Sequence, residues 1–428
     1  MKIAVIGSGI AGLSSAYELS KAGHQVSLFE ANDYFGGHTH TVEVALDGQR
    51  HGVDTGFLVF NHHTYPHLVR LFEELQVPTA ATEMSFSVKL PYGSSQLEWA
   101  GASLATVFAQ KRNLLRPGFW RMLRDILRFN KQVSALAGRQ RQQEFQTSLG
   151  EFLDAGGYSA EFRSWYLLPM AACIWSCPTA TMLSFPIASF ANFCANHGLL
   201  QISDRPQWHT VAGGAKQYVE KMLPHIQHTY LECPVKAVYT NSRKKVVLHS
   251  ARGLEEFDHA IMASHSDQSL AMLSDASALE REILSALKYQ HNRAVLHTDA
   301  RCLPANKQAW SAWNYQSESG AEARVCVHYL INALQPVPFS TPLILSLNPL
   351  DEPDAATVIS SFDYAHPVFD AGAITAQQRL KQIQGQRQIW FAGAWTGYGF
   401  HEDGLKSGLR AAELILAAAA TAHAQRAA

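Results

Sequence analysis

Apolar and polar positions along the first thirty residues predict a strand, a helix and a second strand. Lys2–Ile6 and Gln25–Phe29 are short apolar runs with strand character, and residues 13–22 have the pattern of a helix. Residues 7–12 join the first strand to the helix and read GSGIAG. In such a turn the first glycine permits the bend, the second lets backbone approach a pyrophosphate, and the third lets helix and strand pack closely. The pattern predicts a βαβ unit that binds a dinucleotide.

Two further signals extend this unit. Glu30 ends the second strand about 20 residues after the first glycines, where a carboxylate accepts hydrogen bonds from a ribose 2′-OH. The sequence Gly36-Gly37-His38 follows, and a glycine pair there gives the backbone a second approach to the diphosphate. This arrangement is typical of FAD proteins of the glutathione reductase and amine oxidase type. The alternative is an ordinary turn.

The pattern continues with mixed elements. Residues 39–54 alternate around Asp47-Gly48 and predict a hairpin, and Gly56-Phe57 follows. Amphipathic periodicity predicts helices over residues 65–76 and, after the pair Gly213-Gly214, over 215–222. Further strands are predicted by the segments 84–90, 233–238, 246–249 and 257–263.

The C-terminal region repeats the first motif in another form. Residues 389–399 read as a strand and a glycine loop, and a helix is predicted from Leu405 onward. A helix N-terminus after a glycine loop is an anion site, so this segment can hold a dinucleotide from the opposite side. There is no second GxGxxG sequence for a separate NAD(P) domain.

Composition narrows the class of protein. The 428 residues are 47% hydrophobic and 17% charged, with a net charge of −1, which favours a globular protein and gives no sign of a nucleic-acid partner. The six cysteines form no CxxC pair, and this predicts a reduced, cytoplasmic setting. No signal peptide is predicted, because the N-terminus is itself the first core strand. The adjacent His62 and His63 match no ligand spacing, and no metal site is predicted.

One segment differs from the rest in charge. Residues 110–141 carry nine basic residues and one acid, a local net charge of +8. Pro117 suits a helix start, and Arg121, Arg124, Arg128 and Lys131 recur on one face. A basic amphipathic helix with Phe119 and Trp120 is typical of a membrane-surface element, and residues 110–135 are predicted to dock on the inner face of the membrane. The alternative is a solvated helix that packs normally.

The segment 150–205 is rich in aromatic residues, which suits a cavity for an apolar molecule. It contains Cys173 and Cys177, for which a catalytic thiol and plain core packing are the two interpretations.

Longer strings carry a family resemblance. Residues 5–12, 36–38 and 391–393 resemble the flavin-containing amine oxidase superfamily. The strings at 56–61, 84–88, 108–111, 173–178 and 205–208 are similar to the FAD domain that precedes the methyltransferase in plant cyclopropane fatty acid synthases. They are also similar to stand-alone bacterial relatives described as predicted NAD/FAD-binding proteins. The methyltransferase half is absent from this sequence.

The resemblance implies an α/β fold in which a Rossmann-like FAD-binding domain is interleaved with a mixed-sheet and helical substrate domain. The predicted FAD-binding ranges are 1–80, 206–275 and 385–428, and the substrate ranges are 81–205 and 276–384. The residues predicted to bind FAD are Gly7, Gly9, Ile10, Ala11, Gly12, Glu30, Ala31, Gly36, Gly37, His38, Thr39, Gly56, Phe57, Val235, Gly393, Ala394, Glu402, Gly404 and Leu405.

The function implied is an FAD-dependent oxidoreductase that takes a hydride from a fatty acyl or phospholipid substrate. The alternatives are an isomerase or reductase of unsaturated fatty acids, an amine oxidase, and a non-catalytic flavin partner of a lipid methyltransferase. Amine oxidases of the superfamily place two aromatic residues beside the amine, and only Trp395 lies near the matching position. His38, Trp395 and His401 are predicted to lie near the flavin ring or its ribityl arm, and a histidine is the residue best suited to move a proton near neutral pH.

Overall fold

The structure is a computed structural model that describes residues 1–136, 147–175, 182–201, 205–318 and 325–427. Arg139 and Arg141 of the basic segment 110–141, and Cys177, lie outside these residues. The strands, β1 to β20 in chain order, are Lys2–Ile6, Gln25–Phe29, Thr41–Leu46, Gln49–Asp54, Phe60–Asn61, Thr79–Thr82, Phe86–Tyr92, Ser95–Ala100, Trp208–Val211, His228–Tyr230, Ala237–Thr240, Val246–Ser250, Gly253–Phe257, His259–Met262, Lys288–His297, Trp313–Ser317, Val325–Leu330, Ile344–Leu347, Val358–Val368 and Ile389–Phe391.

The α-helices of these ranges, α1 to α14, are Ile10–Lys21, Pro66–Glu74, Leu104–Val107, Pro117–Ser134, Leu149–Ala155, Ala160–Phe162, Leu168–Trp175, Ile187–Asn196, Lys216–Met222, Ser266–Met272, Ala278–Ser285, Ile331–Leu334, Ala371–Arg379 and His401–Ala427. One π-helical turn, Arg163–Leu167, joins α6 to α7.

A five-stranded parallel sheet forms the centre of the nucleotide-binding part. Its order is β10-β2-β1-β14-β20, so the two strands of the first motif lie beside strands from residues 228–262 and 389–391. The buried strand β1 carries Ile3, Ala4 and Val5 at 0% exposure, as expected of a parallel strand covered on both faces. The α/β fold with a Rossmann-like domain is thereby confirmed, and a three-stranded antiparallel sheet, β11-β12-β13, is attached to it.

A seven-stranded mixed sheet forms the other part, with the order β19-β15-β18-β17-β16-β7-β8. Side chains alternate across it, as they must in a pleated strand. Val88, Tyr315, Val327 and Leu345 face the main hydrophobic core. The other face is polar although buried, and there the hydroxyl of Ser87 donates to Asn314 at 2.7 Å.

This sheet takes its strands from residues 86–100 and 288–368, whereas the parallel sheet takes its strands from 2–29, 228–262 and 389–391. The domain boundaries themselves stay a prediction. Among the local predictions, the hairpin at Asp47-Gly48 and the helices at 66–74 and 216–222 are confirmed. The strand predicted at 233–238 begins only at Ala237.

Helices α4 to α8 cover one side of the seven-stranded sheet and enclose an aromatic core of their own. It is built around Phe129, Phe162, Phe190 and Phe193, which are buried together. Cys173 and Cys194 are buried in the helical layer as free thiols, and burial raises the pKa of Cys194 above its usual range. Core packing therefore accounts for Cys173.

The predicted helix from Pro117 is confirmed as α4, but its faces differ from the prediction. Phe119 is buried with Met122 in the main core, whereas Trp120 and Leu127 point outward. None of the helices among the described residues is long and apolar enough to cross a membrane.

Candidate functional site

The turn between β1 and α1 has the form that its glycines predict. A Cβ on Gly12 would lie 1.9 Å from the carbonyl oxygen of Gly7, so this position admits no side chain. A Cβ on Gly9 would meet nothing within 4 Å, and the backbone there is in an ordinary extended conformation. Gly9 therefore faces open space at the N-terminus of α1, where the first-turn N–H groups have no partner within the helix. This space is the cradle for an anionic group.

The glycine pair lies against this cradle. Gly37 has a φ of +59°, and a Cβ there would lie 3.1 Å from the Cα of Gly9. The N–H of Gly36 donates to the hydroxyl of Ser8 at 3.0 Å. Two loops separated by nearly thirty residues thus approach each other backbone to backbone, as the sequence interpretation requires.

Glu30 closes the same cradle at the end of β2. One carboxylate oxygen accepts the N–H of Ser8 at 2.9 Å and its hydroxyl, and the other accepts the N–H of Asn32 at 2.9 Å. The carbonyl of Glu30 accepts the N–H of Cys233 at 2.7 Å, which brings the segment with Val235 alongside. Ala31, next to Glu30, is exposed.

A second group of residues meets beyond the glycine pair. A Cβ on Gly56 would lie 2.2 Å from the carbonyl oxygen of His38, and the N–H of Phe57 donates to that oxygen at 2.7 Å. The ring of Phe57 stacks on His401 at 3.9 Å between centroids. The Nε2 atom of His401 lies 3.0 Å from the hydroxyl of Tyr218, which in turn contacts Thr39.

The last helix completes the site by packing against the first. A Cβ on Gly404 would lie 2.8 Å from the side chain of Ile10, and one on Gly408 would lie 2.1 Å from the carbonyl oxygen of Ala11. The N–H of Gly393 donates to the hydroxyl of Ser407 at 2.8 Å, which fixes the loop with Ala394 to this helix. Leu405 is buried.

Two predicted site residues have other partners in the structure. Trp395 is 2% exposed in the core of the parallel sheet, and its indole N–H donates to the carbonyl of Ser264 at 3.1 Å. Its predicted place beside the flavin stays a prediction. The carboxylate of Glu402 accepts the backbone N–H groups of His67 and Leu68 at the start of α2. Both of its oxygens thus have partners within the chain, and its role in FAD binding stays a prediction.

Burial disfavours the charged form of the histidines at the site. Burial lowers the pKa of His401 to about 3, and burial together with the neighbouring His366 and His265 lowers the pKa of His38 well below its usual range. The Nε2 atom of His38 is buried and has no hydrogen-bond partner among the described residues. An orphaned ring nitrogen in such a position calls for a partner that is not part of the chain.

A family model described as flavin containing amine oxidoreductase matches residues 10–326, which is well over half of the chain. The chain belongs to this family.

Curated relatives match over shorter stretches. A 1-hydroxycarotenoid 3,4-desaturase of Flavobacterium sp. (strain P99-3) is 46% identical over 80 residues, which is 18% of this chain and 15% of that protein. A putative flavin-containing monoamine oxidase of Mycobacterium tuberculosis (strain ATCC 25618 / H37Rv) is 26% identical over 229 residues, 51% of this chain and 46% of that protein. The chain thus spans less than half the length of these relatives.

Solved structures resemble the whole chain in fold. A fatty acid isomerase from P. acnes that produces CLA has a TM-score of 0.67 at 15% identity, over 97% of both chains. Putrescine oxidase bound to putrescine has a TM-score of 0.68 at 16% identity, over 97% of this chain and 99% of that one. At these identities the likeness shows the fold alone.

Membership of this flavin-containing family makes FAD the cofactor, and the residues present fit it. The cradle at Gly9 and the first turn of α1 suit the diphosphate, Glu30 suits a ribose, and the unpaired Nε2 of His38 suits a further polar atom of the dinucleotide. The start of the last helix, at His401, closes the opposite side of the predicted FAD site.

Several residues at the site gave no recognisable signal in the sequence. Tyr218 bridges Thr39 and His401, and Tyr364 contacts Thr55 at 2.8 Å. The alternation of Phe362, Tyr364 and His366 along one face of β19 is the pattern that could have identified part of this wall.

One group of ligand-type side chains lies away from this site. Donor atoms of His297, Cys302 and His328 lie within 4.8 Å of one another. Both rings are held by the hydroxyl of Ser346, each at 2.6 Å, so hydrogen bonding accounts for the cluster. The absence of a metal site stays a prediction.

Proposed function

We propose that this protein is an FAD-dependent oxidoreductase that acts on a fatty acyl chain of a lipid. The observation that carries the proposal is a set of aromatic rings that we name the aromatic wall: Trp175, Phe193, Tyr398 and Phe400. Trp175 and Phe193 lie 4.5 Å apart between ring centroids, and Phe193 and Phe400 lie 5.0 Å apart. Phe400 immediately precedes His401, so the wall leads from the helical layer to the flavin side of the molecule.

The charges beside the wall favour an apolar substrate over an amine. The carboxylate of Asp403 accepts the N–H groups of Tyr398 and Phe400 at 3.0 and 3.1 Å, and burial raises its pKa to about 6. Glu402 is occupied at α2. A cationic substrate needs a counter-charge when it leaves water. Backbone N–H groups hold both carboxylates in place, and burial favours the neutral form of Asp403, which weakens it as a counter-charge.

When bound, FAD supplies the acceptor for the hydride that leaves the substrate. Desaturation also releases a proton, for which His38 and His401 are the predicted acceptors. With a pKa of about 3, His401 is a weak base at neutral pH, and its stacking on Phe57 and contact with Tyr218 favour a positioning role. The unpaired nitrogen of His38 keeps this residue the better candidate for contact with cofactor or substrate.

Two kinds of likeness support a lipid substrate. The first is the sequence resemblance to the FAD domain of plant cyclopropane fatty acid synthases, which also suggests a lipid methyltransferase as a partner. The second comes from relatives: a curated relative is a carotenoid desaturase, and a protein with the same fold is a fatty acid isomerase. The proposal takes only the substrate class from them.

Anaerobic mixing tests the proposal. The FAD-loaded protein is mixed with phospholipids that carry saturated or unsaturated chains and, in parallel, with primary and secondary amines, while the flavin absorbance is followed. Bleaching by a lipid, with a desaturated product found by mass spectrometry, is the expected result. Bleaching by amines alone would replace the proposal with an amine oxidase.

A second experiment separates the reaction classes. Protein reduced with dithionite is mixed either with oxygen or with unsaturated lipid. Rapid reaction with oxygen favours an oxidase or desaturase, and reoxidation by lipid alone favours a reductase or isomerase. A flavin inert to both, together with no bleaching by any substrate, would leave only the role of a non-catalytic partner.

A further inference from the structure

Large apolar side chains are exposed together on the helical layer. Leu115 is 87% exposed, Leu104 79%, Leu127 56% and Trp120 51%, and Leu114 is exposed beside them. All five belong to one stretch of the chain, residues 104–127. Exposed apolar groups scattered singly need no explanation, but a cluster of this kind marks an interaction site.

Contacts hold these side chains in one surface. The indole N–H of Trp120 donates to the carbonyl of Leu114 at 2.9 Å, which holds the turn with Leu114 and Leu115 against the start of α4. The ring of Trp120 also packs on Phe108 at 5.4 Å, one helical turn after Leu104. Along α4, positions 120, 124, 127 and 131 follow at spacings of four, three and four residues, so they share one face of the helix.

This outward face alternates apolar and basic side chains: Trp120, Arg124, Leu127 and Lys131. Other basic residues of the segment have partners within the protein. Arg121 pairs with Glu161, Arg116 stacks on Tyr92, and Arg128 stacks on Tyr158. The acid of α4, Asp125, is buried and accepts the N–H of Ser159 at 2.9 Å. Arg124 lies 3.7 Å from the carboxylate of Asp125, but the Arg124 side chain is 72% exposed and its charge stays at the surface. The exposed charges of this face are therefore positive, with Lys111 exposed near Leu114 and Leu115.

We propose that these residues form a docking surface for an anionic phospholipid bilayer: Leu104, Lys111, Leu114, Leu115, Trp120, Arg124, Leu127 and Lys131. Leucine and tryptophan side chains that enter the headgroup boundary, beside lysine and arginine side chains that meet lipid phosphates, are the composition of an interfacial element. Charge complementarity selects the bilayer over an uncharged apolar partner. The surface differs from the predicted one, because Phe119 lies in the core and Arg121 and Arg128 are tied internally.

The other face of the same helix leads toward the proposed site. Phe129 and Val133 belong to the aromatic core that contains Phe193 of the aromatic wall, and Phe129 lies 6.2 Å from Phe190. A single helix thus has a lipid-binding outer face and an inner face in the same apolar cluster as the wall. This connection rests on the proposed function, whereas the docking surface does not.

Flotation with liposomes tests the charges. The FAD-loaded protein is incubated with vesicles of phosphatidylcholine alone or with 30% phosphatidylserine, at low and high salt. We expect binding that needs the anionic lipid and falls with salt, since each basic residue near such a surface strengthens binding by about fivefold. The triple variant Lys111→Gln, Arg124→Gln, Lys131→Gln should bind about 100-fold more weakly. A matched triple variant, Arg281→Gln, Lys288→Gln, Lys381→Gln, removes three exposed charges elsewhere and should bind as wild type.

A second set of variants tests the apolar side chains. Leu115→Asn and Leu127→Asn should each reduce binding by about tenfold, because each removes an apolar group that enters the boundary. Leu254→Asn is the control, since Leu254 is 66% exposed on β13 and flanked by Glu255 and Glu256. Flavin content and melting temperature should be unchanged in all of these variants.

The outcomes separate the two proposals. Failure of wild type to bind anionic vesicles at any salt, or equal binding by the docking-surface variants and their controls, would overturn the docking surface even if lipids reduce the flavin. Charge-dependent binding without any lipid turnover would leave the docking surface in place and overturn the proposed function.

Discussion

Glycine at position 9 is required, we expect, by the cofactor and not by the fold. The backbone there has φ −61° and ψ 172°, which any residue adopts, and a Cβ would meet nothing within 4 Å. Gly9→Ala should therefore change the stability of the apoprotein little. Alanine has less conformational freedom to lose on folding, which contributes about 0.4–1 kcal/mol, but it is a poorer N-cap residue for α1 than glycine, which offsets this gain. The added methyl group points into the cradle, where the diphosphate of FAD has to approach the protein backbone.

The expected loss of FAD affinity follows from that intrusion. Forcing a methyl group into a closely packed contact costs about 1–3 kcal/mol, which raises the dissociation constant for FAD by about 5–150-fold. The measurement is a titration of apoprotein with FAD by flavin fluorescence, alongside melting curves of the apoprotein. The affinity for FAD should thus fall in this variant while the stability of the apoprotein hardly changes.

Two other glycines provide the comparison. Gly12→Ala should lower both stability and affinity, because its Cβ would lie 1.9 Å from the carbonyl oxygen of Gly7. Gly101→Ala should leave the affinity for FAD unchanged and stabilise the apoprotein slightly, by about 0.4–1 kcal/mol, since the nearest atom to its Cβ lies at 3.8 Å. If Gly9→Ala binds FAD as tightly as wild type, or if its apoprotein unfolds, the cradle at the start of α1 is not where the diphosphate lies.

Three further predictions concern Glu30, His401 and the buried pair His297 and His328. Glu30→Gln should weaken FAD binding by about 10–150-fold, because a charged hydrogen bond is worth about 1.5–3 kcal/mol. The control Asp33→Asn removes a neighbouring exposed charge and should leave FAD binding unchanged. Equal dissociation constants for the two variants would show that Glu30 does not bind FAD. His401→Gln should slow flavin reduction without changing its pH profile between pH 5 and 8, since the pKa of His401 is about 3; a profile that loses a titration in this range would contradict the positioning role. Burial lowers the pKa of His297 to about 4 and of His328 to about 3, so below the ordinary pKa of 6.5 the unfolded chain takes up protons that the folded chain does not. The free energy of unfolding should therefore fall by about 2 kcal/mol per histidine from pH 7 to pH 5. Denaturant midpoints that fall equally in wild type and in the His297→Gln, His328→Gln double variant would refute this assignment.

The cradle is a part of the structure that the local sequence determines. The spacing of Gly7, Gly9 and Gly12 between two apolar runs determines a strand, a turn and a helix through steric limits that act within a dozen residues. The placement of Glu30 follows from the length of that unit. The hairpin at Asp47-Gly48 was predictable for the same reason, because alternation and turn residues act locally.

Where a side chain has partners that are distant in the sequence, only the tertiary structure shows which contacts it makes. Glu402 lies in a glycine-rich segment that reads as a cofactor loop, yet its carboxylate is used by the start of α2, more than 300 residues earlier in the chain. Trp395 is predicted from its glycine loop to lie beside the flavin, and the tertiary structure adds that its ring is buried in the core of the parallel sheet. A side chain at a loop can turn to either side, and packing of remote elements decides which.

The helix at Pro117–Ser134 shows both levels at once. Its pattern determined that the helix forms and that it is basic, because period and charge are properties of the local chain. The pattern did not decide that Phe119 packs inward while Trp120 and Leu127 face outward, or that Arg121 and Arg128 are tied to Glu161 and Tyr158. Those outcomes depend on residues from the neighbouring helices, since burial and ion pairing are set by what the folded chain brings against each face.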